Sequence, residues 1–321
     1  MSKLANTSPN LPDGWVVRET DACGGTAHYE APDGTIELAY FEVMPGAVLT
    51  RIDLACQTLP ADNPLGPQLA TINWCAAGRC EVDFGERGTL VVGERTLCLS
   101  SALALSFSYP TGAYRGFEFF VDLDQIDAAS WALLGAFGLT PETLRRILLQ
   151  HDLGVTLLPG GELAEAIHAI ELELALARPR PSWLLLGTCR LLMVLAQTDL
   201  EACRMAGFYL RRSQRDMAQL VHQRLTERFA PTASLASLAK ELGVSEASLR
   251  SYFVRVYGQS PASFARARAL GEAARLLREA DLPVADVSQA CGYANPSKFS
   301  AAFSRAYGAN PLEYRRRARL G

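Results

Sequence analysis

Between about residues 14 and 122, apolar and polar positions alternate in short runs: "TIELAYFEVM", "VLTRIDLACQ", "ATINWCAAG", "RCEVDFG", "TLVVGERTLCLS", "ALSFSYPTG" and "YRGFEFFVDL". They are rich in Val, Ile, Thr, Phe and Tyr, and Gly or Pro interrupts them about every 8–12 residues. That pattern predicts an antiparallel β-sandwich or barrel over 14–130. "MSKLANTSPNLP" reads as the core of a flexible tail, 1–13.

The period then changes. "TPETLRRILLQ" opens as a helix with Thr140 as N-cap, Pro141 first and Glu142 in the first turn. "GGELAEAIHAIELELALARP" (160–179) sets Leu163, Ile167, Ile170, Leu174 and Ala177 at steps of three and four, an amphipathic stripe. Residues 181–207 read as a second long helix, apolar on most sides. The region 131–207 is therefore a helical segment that either packs on the β domain or forms a homodimer seam, or both. From 208 onward the chain is helical throughout.

This last third says nearly the same thing twice. "VSEASLRSYFVRVYGQSPASF" (244–264) returns as "ANPSKFSAAFSRAYGANPLEY" (294–314), with Phe253, Arg255, Tyr257-Gly258 and Pro261 echoed at Phe303, Arg305, Tyr307-Gly308 and Pro311. A short helix precedes each copy and ends in a turn at Gly243 or Gly292. Short helix, Gly-containing turn and second helix form the helix-turn-helix signature. Its close crossing needs a small residue, supplied by Ala239 and Ser288, with Leu238 and Val287 beside them. Leu249, Phe253 and Val256 form the expected buried stripe of the first recognition helix, and Phe299, Phe303 and Ala306 that of the second. The opposite faces are short, polar or basic: Glu246, Ala247, Ser248, Arg250 and Ser251, then Pro296, Ser297, Lys298, Ser300 and Ala301.

Such helices enter a major groove with their N-terminal halves against base edges. Arg250 suits a bidentate contact to guanine, while Ser251, Ser297 and Lys298 suit bases or phosphates. Pro261 to Ala280 spans 20 residues, about 30 Å of helix at 1.5 Å per residue. A spacer of that length fits successive major grooves roughly 34 Å apart.

Charge strengthens this picture. Residues 213–321 hold 16 Lys+Arg against 9 Asp+Glu, hence +7; residues 1–212 hold 15 against 25, hence −10. The overall −3 hides a basic module on an acidic body, a nucleic-acid signature. Eight cysteines are scattered without a framework spacing, and four residues separate Cys75 from Cys80, unlike a zinc knuckle or thioredoxin-like motif. His28 is the sole histidine in 14–122, too few for a cupin-type metal enzyme. No catalytic residues, cofactor or metal are expected. With no signal-peptide pattern and no apolar run long enough to span a membrane, the expected location is the cytoplasm.

The run from "SLASLAKELGVSEASLRSYFVRVYG" to "VADVSQACGYANPSKFSAAFSRAYGANPLEYRR" resembles the AraC/XylS family of bacterial transcription regulators, over residues 213–317. The resemblance implies base contacts at Ala247, Arg250 and Ser251, and at Pro296, Ser297, Lys298 and Ala301; Arg305 joins them as a candidate DNA contact. Members often carry longer side chains where Ala247 and Ala301 stand, so direct readout there is expected to be weak or limited to thymine methyls. Ser288 replaces the usual alanine. The resemblance further implies a cupin-like β domain sensing a small-molecule effector, dimerising helices, and activation as the commoner mode, with RNA polymerase a further candidate partner. "NWCAAGRCEVDFG" resembles sensor domains of a branch that includes siderophore-responsive regulators. Asn73, Trp74, Arg79, Tyr114 and Glu118 are pocket candidates that read equally as strand residues.

The expected architecture is thus α+β: tail 1–13, β-rich sensor 14–130, helical linker 131–207, and a DNA-binding domain 208–321 with two helix-turn-helix motifs. The alternatives are a metal-independent β-barrel enzyme with a helical appendage, and a constitutive DNA-binding protein without an effector.

Overall fold

The computed structural model describes residues 15–20, 24–59, 69–101, 104–149, 154–200, 202, 209–227 and 235–318. The tail 1–13, Phe229 and the helix start expected near Ser234 lie outside them. The chain divides into two compact units, Met1–Arg212 and Ser213–Gly321.

In the first unit the strands are β1 (Val16–Thr20), β2 (Gly24–Ala31), β3 (Gly34–Met44), β4 (Ala47–Ala55), β5 (Thr58–Leu59), β6 (Leu69–Gly78), β7 (Cys80–Asp83), β8 (Thr89–Val92), β9 (Thr96–Ser100), β10 (Ser106–Ser108) and β11 (Tyr114–Asp122). Helices α1 (Ala128–Ala136) and α2 (Pro141–Leu148), strand β12 (Val155–Leu157), helices α3 (Gly161–Leu174) and α4 (Pro181–Gln197) and strand β13 (Tyr209–Leu210) follow. An eight-stranded sheet, β1-β2-β3-β4-β11-β6-β9-β12, faces a five-stranded one, β13-β8-β7-β10-β5. The expected sandwich is therefore present.

Alternation along the large sheet divides its residues between two cores. Leu49, Ile72, Trp74, Leu97, Phe117 and Phe119 pack outward with the helices. Ile52, Leu54, Cys75, Cys98 and Tyr114 pack inward with Val82, Leu90 and Val92 of the small sheet. Helix α3 is tied down at two points: Trp74 Nε1 donates to Glu171 at 2.8 Å, and Arg51 donates to the Leu174 carbonyl at 2.9 Å. Buried Glu173 closes the α3–α4 turn by accepting from the Arg180 backbone at 2.7 Å and its guanidinium at 2.6 Å. Leu172, Leu176, Trp183 and Leu186 of this hairpin remain exposed.

Three sequence expectations shift. The span 131–207 is not wholly helical, because Val155–Leu157 pairs with β9; a three-residue strand is too short for a periodic signal. Helix α4 stops at Gln197 instead of running to 207. Thr198 leaves helical geometry (φ −81°, ψ 132°) and Asp199 accepts from the Ala202 amide, a local turn that competes with the helix. Tyr209–Leu210 pairs with β8, so the division falls after Arg212, not before 208.

Burial pushes the Cys75 and Cys98 thiols up to about 12, and Cys80 well above its usual range. These thiols behave as small apolar groups. Among the described residues no cluster of three His, Cys, Asp or Glu could hold a metal, and no helix is long and apolar enough to cross a membrane.

The second unit contains α5 (Arg212–Glu227, whose first residue belongs to the first unit), α6 (Leu235–Glu241), α7 (Glu246–Tyr257), α8 (Pro261–Glu279), α9 (Val284–Ala290), α10 (Pro296–Tyr307) and α11 (Pro311–Ala318). Helix α8 has 19 residues and gives Ala269, Leu270, Ala273, Ala274 and Leu277 to a core with Val287, Cys291, Phe299 and Phe303.

Candidate nucleic-acid interface

Each helix pair turns on a glycine in the left-handed region, Gly243 at φ 66° and Gly292 at φ 79°, a conformation that a side chain disfavours. Backbone bonds across the turns correspond one to one. Leu242 and Cys291 donate to Leu238 and Val287, Gly243 and Gly292 to Lys240 and Gln289, and Val244 and Tyr293 to Ala239 and Ser288. The spacing between copies is 49 residues up to this point and 50 beyond it, so the second turn is one residue longer. Ser288 is fully buried, and its hydroxyl donates to the Tyr293 carbonyl at 3.3 Å. The same crossing therefore accepts Ser where the first copy has Ala239.

Both recognition helices are well started and well stopped. Ser245 Oγ accepts from the Ser248 amide at 3.0 Å. Asn295 Oδ1 accepts from Ser297 and Lys298 at 2.9 and 3.2 Å, with Pro296 at the first position. Left-handed Gly258 and Gly308 end α7 and α10.

Their apolar sides are fixed by ring clusters. Around α7, His222 stacks on Tyr257 (centroids 4.4 Å apart) and packs on Phe264 at 4.7 Å, while Phe253 meets Tyr257 at 4.6 Å. Around α10, Phe303 meets Tyr307 at 4.6 Å and Tyr314 at 5.2 Å. Ala306, expected in the buried stripe, is exposed, because these tyrosine rings cover Phe303 in its place.

The opposite sides face solvent. Ala247, Arg250 and Ser251 on α7, and Pro296, Ser297, Lys298, Ala301 and Arg305 on α10, are all exposed. Ser297, Ala301 and Arg305 follow at steps of four, hence along one stripe of α10. In the first copy the equivalent Arg255 is half-buried.

The two faces differ in charge. Arg250 Nη2 donates to Glu246 Oε1 at 2.6 Å, with both side chains about half exposed. Glu246 and Arg250 thus share one stripe at neutral net charge. Lys298 and Arg305 make no ion pair among the described residues. An exposed helical pair contributes about 0.3–0.5 kcal/mol, weak enough for another acceptor to compete for Arg250. The pairing was open to sequence reading from the four-residue step, yet Glu246 stood there only as a polar position.

A family model described as a helix-turn-helix domain matches residues 238–317. The RCS-specific HTH-type transcriptional activator RclR of Escherichia coli K12 is 34% identical over 99 residues, 31% of this chain and 35% of that protein. A Streptomyces antibioticus protein described as an AraC-like transcription regulator is 35% identical over 83 residues, 26% and 27% of the two chains. The match thus spans only about a third or less of these relatives' length. Among solved structures, the DNA-binding domain of AdpA in complex with a target DNA aligns over 32% of this chain and 93% of its own, at 25% identity and a TM-score of 0.30. The paired turns, the exposed recognition helices and the matched relatives converge: the C-terminal unit is a helix-turn-helix DNA-binding domain, similar to those of AraC-like transcription regulators.

Proposed function

We propose that the chain is an effector-responsive transcription regulator whose α7 and α10 read successive major grooves. The supporting observation is the pair of matched recognition helices, both polar or basic on their exposed sides, on a basic unit joined through one helix. Helix α8, about 28 Å long at 1.5 Å per residue, suits the ~34 Å between successive major grooves. On this reading Ala247, Arg250 and Ser251 contact one half of the operator; Pro296, Ser297, Lys298, Ala301 and Arg305 contact the other.

The sandwich is then a cupin-like sensor of a small molecule. The exposed Leu172, Leu176, Trp183 and Leu186 supply a homodimer seam, since an apolar patch of this kind suits a protein partner. The regulator acts in the cytoplasm, as an activator in contact with RNA polymerase.

Selection of the full-length protein against a random duplex pool tests the reading. The expected product is a two-part site of about 20 base pairs, with affinity falling steeply as salt rises. Absence of an enriched sequence, or salt-insensitive binding, would reject it.

A further inference from the structure

One row on the inner face of the large sheet does not resemble a core. The strand registers set Tyr40 opposite Thr50, Thr50 opposite Glu118, Glu118 opposite Asn73, Asn73 opposite Cys98, and Cys98 opposite Thr156. Cross-strand partners share a face, so these six side chains form a line across six strands. On one side of it lie Ile52, Leu38 and Cys75 of the inter-sheet core. On the other, Glu42, Val48, Phe120, Thr71 and Ser100 are all half-exposed. The row sits where closed core gives way to an open end.

One residue in it, Tyr40, lacks a hydrogen-bond partner for its hydroxyl among the described residues, and another, Glu118, carries a carboxyl with no cation acting on it. Glu118 accepts a hydrogen bond from Asn73 Nδ2, and Asn73 Oδ1 is itself taken by the Tyr114 hydroxyl at 2.6 Å. The titratable groups that feel Glu118 are Cys80, Cys98, Tyr109 and Tyr114; no cation is among them. Desolvation pushes the Glu118 carboxyl up to about 7. Tyr40 is 3% exposed, and its hydroxyl has no hydrogen-bond partner among the described residues. Buried hydroxyls such as that of Tyr40 are normally paired, while Glu118 is itself half-exposed and open to an outside partner. A glutamine at 118 would keep an acceptor for Asn73 without the cost of desolvating a charge. A carboxyl retained here without a counter-charge suits a site whose cation arrives from outside.

We propose that this row binds a small organic cation, an ammonium with an apolar body, with Glu118 as its counter-ion and the Tyr40 hydroxyl as a second polar contact. The proposal deepens the effector reading above and rests on it for its regulatory consequence. The apolar body lies toward Phe120 and Val48, and the ammonium head points inward. Such a ligand requires the ionised carboxylate, so binding at acid pH releases the Glu118 proton and affinity rises with pH through about 7.

Calorimetry on the full-length protein with phenethylamine and n-hexylamine tests this, with 2-phenylethanol, 1-hexanol and hexanoate as controls. The amines should bind at least about tenfold more tightly than the alcohols, a fraction of what a desolvated charge pair can supply. Their affinity should increase from pH 6 to pH 8. Glu118→Gln should abolish both the preference and the pH dependence, and Tyr40→Phe, which leaves the carboxylate in place, should weaken amine binding while preserving its pH dependence. Failure of both amines to bind, or equal binding by alcohols, or unchanged amine binding by a folded Glu118→Gln protein, overturns the cation site. Amine binding without change in DNA affinity would retain the site and remove the effector reading. Alcohol or hexanoate binding that changes DNA affinity, without amine preference, would do the reverse.

Discussion

The two halves of the DNA-binding unit have one scaffold and two chemistries. Helices α6–α7 and α9–α10 share the glycine turn, the backbone bonds across it, the buried Leu249/Phe299 and Phe253/Phe303 positions and the left-handed glycine at the end. Their exposed sides have diverged: a neutralised Glu246–Arg250 pair on one, and on the other Lys298 and Arg305 with no ion pair among the described residues. A carboxylate on a DNA-facing stripe opposes phosphate and narrows the acceptable bases. An unpaired lysine attracts any duplex. On the proposed reading the first half is suited to discrimination and the second to holding on, and the folding residues carry none of that division.

The most forceful way to break the comparison is to remove the shared scaffold. Phe253→Ala and Phe303→Ala each empty a fully buried site and should each cost about 3–5 kcal/mol in urea denaturation of the full chain. Tolerance of one by less than about 1 kcal/mol would show that the halves are not equivalent frameworks. Next comes the reading itself. Arg250→Ala should lose about 1–3 kcal/mol at a single base position, leaving other positions untouched in a substitution-by-substitution binding profile. Lys298→Ala should weaken all sequences alike and lower the salt slope by about 1; an outcome with the two roles exchanged refutes the assignment.

A smaller effect separates the halves by pH. Burial, with the nearby Arg268 charge adding to it, holds the His222 imidazole below its usual 6.5. The folded unit resists a proton that the unfolded chain accepts, so this contribution is intact above pH 6.5 and is lost progressively below it. The ring cluster on α10 contains no histidine. Acidification from pH 7.5 to 5.5 should therefore fade the α7 half of a footprint first, and His222→Phe should flatten the dependence; simultaneous loss of both halves would argue against this origin. The smallest change expected is Ser288→Ala. It removes one long hydrogen bond from a position where the first copy already has alanine, and thermal melts should move by no more than about 1 kcal/mol.

The DNA-binding unit was legible because its signals are local: Asn-Pro caps, turn glycines and a repeated apolar spacing specify helices within a few residues of themselves. Position 306 was misread because the stripe alone cannot show that Tyr307 and Tyr314 cover the same ring. In the first unit, β12 and β13 escaped notice because two or three residues carry no period; partners on β9 and β8 define them. The row through Tyr40, Thr50, Glu118, Asn73, Cys98 and Thr156 was invisible for a deeper reason. Its members stand up to 116 positions apart, and only the registers bring them into line. Asn73 and Glu118 could be named as pocket candidates, but not as neighbours.

Strand β6 carries Asn73 and Trp74 side by side, pointing to opposite faces. Asn73 holds Glu118 within the sandwich, while Trp74 holds Glu171 of α3 outside it. Between the interior polar row and the outer helical hairpin, the partition is a single backbone. Any displacement of the strand that accommodates a guest on one side must move an anchor on the other, so the sheet has no slack layer in which such a displacement could be absorbed.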